Sequence, residues 1–464
     1  MGGVGVSALL ASGTRGDESA AGQGAGMPGR ANPVIVEKVF KTTLIDTHEH
    51  LIEEKERLTA SHARVQADDW SLLLSHYLNS DLLVAGMPKE AYDKFFSRET
   101  DPADKWRLLE PYWAAVKNTG YGQAVRIAMQ QLYEGDDLSA ATAKKVQAAY
   151  EQTRRAGFYR HVLCDLAKIE SCQVNCLSRP FGESDMPTLL MQDLSIVGMF
   201  AGPDLNGFGK PTGIEVRSLA DWHRVIGWWF DKYGQCAVAV KSQNAYSRDI
   251  DYEQVPAEKV EAVFKKRVAN EPLTAQEKKD LEDHLFWYAV RKATEYKLPV
   301  KLHTGYYAGQ NGMPLDRLSH NTASATDLCH KAPDTRFVFM HICYPYYEEM
   351  LAVAKHYTNA YVDMCWSWIM NPVAAKDFLK KFLVTAPANK ILTFGGDYIP
   401  VEPVLGHAMI ARRGIVLALS ELVEEGWLTL SDAMDLVDPI MHNNARQIFN
   451  LAEKSRILEN VKWT

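Results

Sequence analysis

The chain has 464 residues, 47% of them hydrophobic and 23% charged, enough for a large buried core in an ordinary globular protein. Its net charge of -7 (51 Lys+Arg against 58 Asp+Glu), with no basic stripe, argues against nucleic acid as a partner. No apolar stretch reaches the roughly 20 residues needed to cross a bilayer, so no membrane span is expected.

Residues 1–33 are rich in Gly, Ala and Ser and read as a disordered or signal-like tail. A weakly apolar run with small residues around Ala11 fits the end of an export signal, but the basic segment that should precede it is missing. Cytoplasmic and exported locations therefore both stay open. Residues 34–464 read as one unit. Its first apolar run is Leu44–His48, and about 55–160 then reads helical, with Ser71–Leu83, Lys89–Phe96 and Gly122–Leu132 as clear examples. This is a helical insertion, a lid or a homo-oligomer interface. Further candidate strands follow at Gln173–Leu177, Leu190–Phe200, Cys236–Lys241, Pro299–His303, Phe337–His341, Ala360–Met364 and Ile391–Phe394. Helical stretches separate them, including Leu219–Tyr233, Thr274–Tyr296, Tyr346–His356 and Val373–Leu383. Eight strands alternating with helices predict the α/β class, a (β/α)₈ TIM-like barrel with a helical insertion after strand 1. The charged 255–285 stretch reads as a solvent-facing excursion and Val404–Leu451 as helical.

The seven cysteines show no disulfide framework, and reduced core thiols fit them better. Cys172 and Cys176, four apart, suit a metal less well than they suit packing.

Chemistry concentrates at strand ends. Asp46-Thr47-His48-Glu49-His50 closes the first strand, where side chains two apart share a side, so His48 and His50 face one point. Neutral imidazole ligates zinc and its neighbours. His303, His341 and Asp397 each follow an apolar run in the same way. In a barrel these ends converge on the face that carries active sites, which predicts a metal centre.

This ordered set resembles the amidohydrolase superfamily, and within it the branch of uronate isomerase-like and FluG/nodulin-like amidohydrolases. The matching features are Asp-Thr-His-Glu-His-Leu at 46–51, His303, His341, Gly-Gly-Asp at 395–397, and Asn444-Ala445-Arg446 with Phe449. The resemblance implies that His48, His50, His303 and Asp397 bind a divalent metal, most simply one or two zinc ions, and that His341 is a ligand or polarises the substrate. It implies a metal-activated water as nucleophile, with Asp397 as proton shuttle. Lys241, ending the fourth strand, sits where binuclear relatives carry a carbamylated lysine bridging two metals. A contact to an acidic substrate and a structural ion pair are the other readings of Lys241. Arg248 suits a carboxylate, and Tyr246, Tyr306 and Trp366 suit the wall of a substrate pocket.

The expected activity is hydrolysis of an amide, lactone or ester-like bond in a small molecule. The alternative is uronate isomerase-like or decarboxylase chemistry on a carboxylated small molecule. A catalytically silent barrel would show a broken ligand set, and none of the ligand positions is missing.

Overall fold

The computed structural model describes residues 30–59, 67–133, 135, 137–200, 205–309 and 313–463. Most of the 1–33 tail, including Ala11, lies outside the described residues. At its end, Asn32 caps the helix Pro33–Lys41, its side chain accepting from the Val34 N–H at 3.0 Å. Proline at the first helical position has no N–H to satisfy, which suits it to starting this helix.

All strand pairs are parallel. β1 (Leu44–Glu49), β2 (Ile169–Val174) and β3 (Leu190–Gln192) form one sheet. β4 (Leu194–Ser195), β5 (Val240–Ser242), β6 (Val300–Leu302), β7 (Phe337–Met340), β8 (Ala360–Asp363) and β9 (Ile391–Leu392) form the other, in that order. β3 and β4 are two halves of one strand kinked at Asp193, so eight strand positions result. The two sheets meet at both ends. Val238 N–H donates to Gln192 O at 3.0 Å, and Thr47 N–H to Phe394 O at 3.0 Å. The architecture is the expected α/β barrel.

Individual strands differ from the sequence reading. β2 starts at Ile169 rather than Gln173, and Cys176 lies in the loop beyond it. The run expected to be one strand over Leu190–Phe200 turns into a short helix at Val197. Hydrophobicity marks these runs as buried, but buried strand and buried helix look alike over so few residues. Helices are better specified. Ser218 with Asp221, and Thr274 with Glu277, form reciprocal capping boxes that start the helices Leu219–Tyr233 and Ala275–Glu295.

The ring encloses charge as well as apolar side chains. Lys301 on β6 and Asp193 are both fully buried and paired at 2.8 Å, and Lys301 Nζ also donates to Thr47 O at 2.6 Å. This ties three strand positions together next to His48.

Between β1 and β2 the chain is helical. Its helix Gly120–Tyr133 packs on the long C-terminal helix Glu402–Glu424. Contact is close enough that a Cβ on Gly406 would overlap the Ala124 carbonyl. The buried Arg57–Glu402 ion pair fastens the same two regions. The expected helix over Ser71–Leu83 is broken. A 3₁₀ turn, Trp70–Leu74, is followed by the α-helix Leu78–Val84, and Tyr77 between them has φ +71°. That left-handed value is uncommon for a bulky residue, and it places Tyr77 at the mouth of the barrel.

Candidate metal centre

β1 delivers His48 and His50 to the same point. His48 Nε2 lies 3.2 Å, and His50 Nε2 3.3 Å, from Asp397 Oδ1. The potential ligand atoms of His48, His50 and Asp397 all lie within 4.8 Å of one another. His341 Nε2 is 3.9 Å from the other Asp397 oxygen. The His303 and His341 rings are 4.4 Å apart. Four imidazoles and one carboxylate, predicted from four separate strand ends, are thus brought together.

The backbone explains why Asp397 reaches β1. A Cβ on Gly395 would collide with Cys365, and one on Gly396 with the Glu49 carboxylate. Glycine at both positions lets the end of β9 run against β1, where Asp397 N–H donates to His48 O at 2.8 Å and His50 N–H to Tyr398 O at 3.0 Å. Left-handed backbone gathers around the centre: His341 (φ +63°), Trp366 (+64°) and Asp397 (+62°). Such strain persists where the surrounding packing over-determines it, and it clusters at functional sites.

Neighbouring carbonyls fix the ring nitrogens. His50 Nδ1 donates to Asn175 O at 2.8 Å, His341 Nδ1 to Cys365 O at 3.0 Å, and His303 Nε2 to Tyr306 O at 2.9 Å. Each of these rings therefore keeps one lone pair, and an outer N–H bond of this kind sets the tautomer of a metal-ligating histidine. Burial holds His48, His303 and His341 well below the usual imidazole value, with the Lys241 charge adding to it. The rings are neutral and able to ligate. His341 Nε2, the nitrogen on the Asp397 side, is buried without a hydrogen-bond partner. An orphaned buried nitrogen beside a carboxylate fits a bound cation. Burial pushes the Asp397 carboxyl up to about 7, against the pull of Lys241.

Lys241 faces the same cavity. Burial brings its ammonium down to about 8. Its Nζ contacts Met340 Sδ at 2.7 Å, and among the described residues no carboxylate is within ion-pair distance of it. The structural ion pair considered for Lys241 is therefore not formed.

The cavity over the centre measures about 430 Å³. Tyr246 lines it, with its ring 4.6 Å from that of His303. Trp366 is fully buried behind His341 at 5.3 Å, and Tyr306 packs on Trp366 at 6.0 Å. These two back the wall rather than line it. Arg248, expected to suit a carboxylate, meets carboxylates of the protein itself and is not among the cavity-lining residues. Its guanidinium is held by Asp283 (2.6 Å), Glu282 (3.1 Å) and Asp251 (3.2 Å) and stacks over Tyr252 at 4.4 Å. With the Asp249 carbonyl also accepting from Nε, four of its five N–H donors are engaged inside the protein. The same contacts bury Glu282 and Asp283, so the 255–285 excursion is not solvent-facing throughout.

Lining residues that carried no role in the sequence reading include His76, Tyr77, Gln243 and Asn244. Tyr77 O–H donates to the Asp397 carbonyl at 2.6 Å, and its ring stacks on Trp366 at 4.9 Å. The helical segment between β1 and β2 thereby touches the residue at the heart of the site. Cys172 and Cys176 take no part: all seven cysteines are free, and the metal-suited cluster contains none.

Residues 247–451 match the family described as amidohydrolase. Protein fluG of Emericella nidulans is 28% identical over 165 residues, which is 35% of this chain and 18% of that protein's length. Among solved structures, uronate isomerase from Thermotoga maritima superposes with a TM-score of 0.72 at 14% identity, covering 90% of this chain and 98% of that one. Glucuronate isomerase from Caulobacter crescentus gives 0.70 at 15% identity, covering 92% and 96%. A putative metal-dependent hydrolase from Lactobacillus casei gives 0.63 at 16%, covering 90% and 98%. At these identities the structural matches speak for the fold alone. The chain thus resembles the amidohydrolases in sequence over residues 247–451 and shares the fold of the uronate isomerases over nine-tenths of its length.

Proposed function

We propose that the protein is a metal-dependent hydrolase acting on an amide, lactone or ester-like bond of a small molecule. The observation that carries this reading is the convergence of the His48, His50 and His341 Nε2 atoms on the buried Asp397 carboxylate. These residues, with His303, would hold one or two divalent cations, zinc suiting the nitrogen-rich set. A cation bound there supplies Lewis acidity to a carbonyl and lowers the pKa of a water to ~7. Asp397, buried against the histidines, is placed to accept a proton from the attacking water and return it to the leaving group. Tyr77 holds the backbone of Asp397, and Trp366 closes the rear of the site against water. Lys241 is buried, lowered to about 8 and free of carboxylate partners. Its amine is unprotonated often enough at neutral pH to take up carbon dioxide, and the carbamate would replace a repulsive ammonium with an anionic ligand.

The alternative, uronate isomerase-like or decarboxylase chemistry on a carboxylated small molecule, calls for a cation to seat the substrate carboxylate; Arg248 is engaged elsewhere, so that role would fall to Lys241 as an unmodified ammonium. The test is turnover by metal-replete protein on matched panels of neutral amides, lactones and uronates. Hydrolysis of an amide or lactone that is abolished by Asp397→Asn supports the reading. Conversion of uronates alone refutes it.

A further inference from the structure

Three loops hold Tyr246, and together they leave its phenol proton uncommitted. Tyr246 closes the 3₁₀ turn Asn244–Tyr246 just beyond β5, its N–H donating to Gln243 O at 3.2 Å. Arg317, on the short helix Leu315–His320, donates through Nη2 to the Tyr246 carbonyl at 3.1 Å. Ala308, in the loop after β6, donates its N–H to the phenol oxygen at 2.9 Å. The ring rests against His303 at 4.6 Å and Tyr307 at 5.3 Å. The side chain is thus fixed at both ends by protein groups, before any substrate arrives.

An amide N–H can only donate, so the Tyr246 oxygen is the acceptor in its bond to Ala308. Its own O–H must therefore point elsewhere, and among the described residues no group accepts it. A phenol, with an ordinary pKa of ~10, keeps that proton at neutral pH. Tyr246 is half-buried and lines the cavity together with Asp397 and Lys241. Tyr77, the other phenol on that wall, differs, because its proton is spent on the Asp397 carbonyl. The chemistry of the cavity calls for such a donor. As water adds to a carbonyl carbon, the C–O π pair moves onto the carbonyl oxygen, and it returns when the leaving group departs with the proton carried by Asp397. A donor held in place beforehand stabilises that oxygen more when it is charged than when it is a neutral carbonyl.

We propose that Tyr246 is a catalytic residue whose O–H donates a hydrogen bond to the reacting carbonyl oxygen of the substrate. This rests on the carbonyl chemistry proposed for the cavity and adds the side chain that carries part of the oxygen's charge. The position suits the role, since the His303 ring beside Tyr246 is itself 4.4 Å from the ring of His341 at the metal centre. Lys241, while an ammonium, attracts any anion in the cavity, so the test compares proteins that both carry it.

The probe is phenylphosphonate, whose tetrahedral anionic oxygens imitate the charged state, titrated calorimetrically into the zinc-loaded full chain. Tyr246→Phe removes the hydroxyl and keeps the ring. It should weaken phenylphosphonate by about tenfold or more while zinc content stays that of the wild type. On an amide or lactone that the protein hydrolyses, the same variant should lose about 10²-fold in kcat with KM within about threefold. Tyr246→Met, with the same losses expected, serves if the phenylalanine variant does not fold. Undetectable phenylphosphonate binding to the wild type, or affinity within about twofold in the variants, overturns the proposal. So does loss of zinc along with the probe, which would make Tyr246 a packing support for His303. Because binding needs no turnover, phosphonate affinity that depends on Tyr246 in a protein hydrolysing no amide, lactone or ester would sink the hydrolase reading and leave this one standing for another carbonyl reaction.

Discussion

Lys301→Met tests how the barrel interior holds the first histidine pair. Lys301 and Asp193 are fully buried, and Lys301 Nζ also caps the carbonyl of Thr47, the residue before His48. Removing one partner of a buried pair costs ~3–5 kcal/mol, and the abandoned carbonyl adds about 1–3. Against a total stability of about 5–15 kcal/mol that is a large loss. Burial already raises the Asp193 carboxyl while Lys301 holds it down, so without Lys301 it takes up a proton in the folded state. A folded value above the unfolded one (~3.9) means stability falls as pH rises between the two, so the deficit should be larger at pH 8 than at pH 5. Replacing both residues, Asp193→Leu with Lys301→Met, removes the orphaned acid and should recover about 2 kcal/mol or more and abolish that pH dependence. Urea unfolding followed by fluorescence reads all of this, since the chain has 11 tryptophans. A single-variant cost below ~1 kcal/mol, or a double variant no better than the single, refutes the reasoning.

Three further outcomes are expected. Gly406→Ala should overpack the contact with Ala124, costing ~1–3 kcal/mol, and open the 102–153 helices to limited proteolysis before the barrel. Arg248→Ala should destabilise the fold by up to ~3–5 kcal/mol by stranding Asp283 and Glu282, yet leave the KM ratio of carboxylated to neutral substrates unchanged. His223, lowered to about 4 by burial and then by His284 at 3.0 Å, stays neutral in the fold but protonates near ~6.5 when unfolded. Its contribution is complete above that value and lost as pH falls toward 4, so His223→Gln should flatten the stability profile over that window.

The strand ends that come together at the candidate site were legible because each is an apolar run stopped by a ligand-type residue, and the barrel makes those ends converge. His48, His50, His303, His341 and Asp397 were therefore readable without coordinates. Arg248 was not, because its partners Glu282 and Asp283 come from a helix some 35 residues further on, and charge alone does not say whether a guanidinium meets protein or ligand. Tyr77 was hidden for another reason. Its neighbours have helical periodicity, and only packing against Trp366 and Tyr121 forces the left-handed residue that breaks the helix. The shift of β2 to Ile169 reflects an exposed Glu170 inside a strand, which reads as loop.

Metal content of the purified full chain, paired with intact mass under native conditions, tests the central claim most directly. The account predicts at least one divalent ion per chain, lost in a folded Asp397→Asn variant, and a second ion where Lys241 carries the mass of a carbamate. A folded wild-type chain that binds no divalent metal when supplied with zinc, manganese or iron would contradict it.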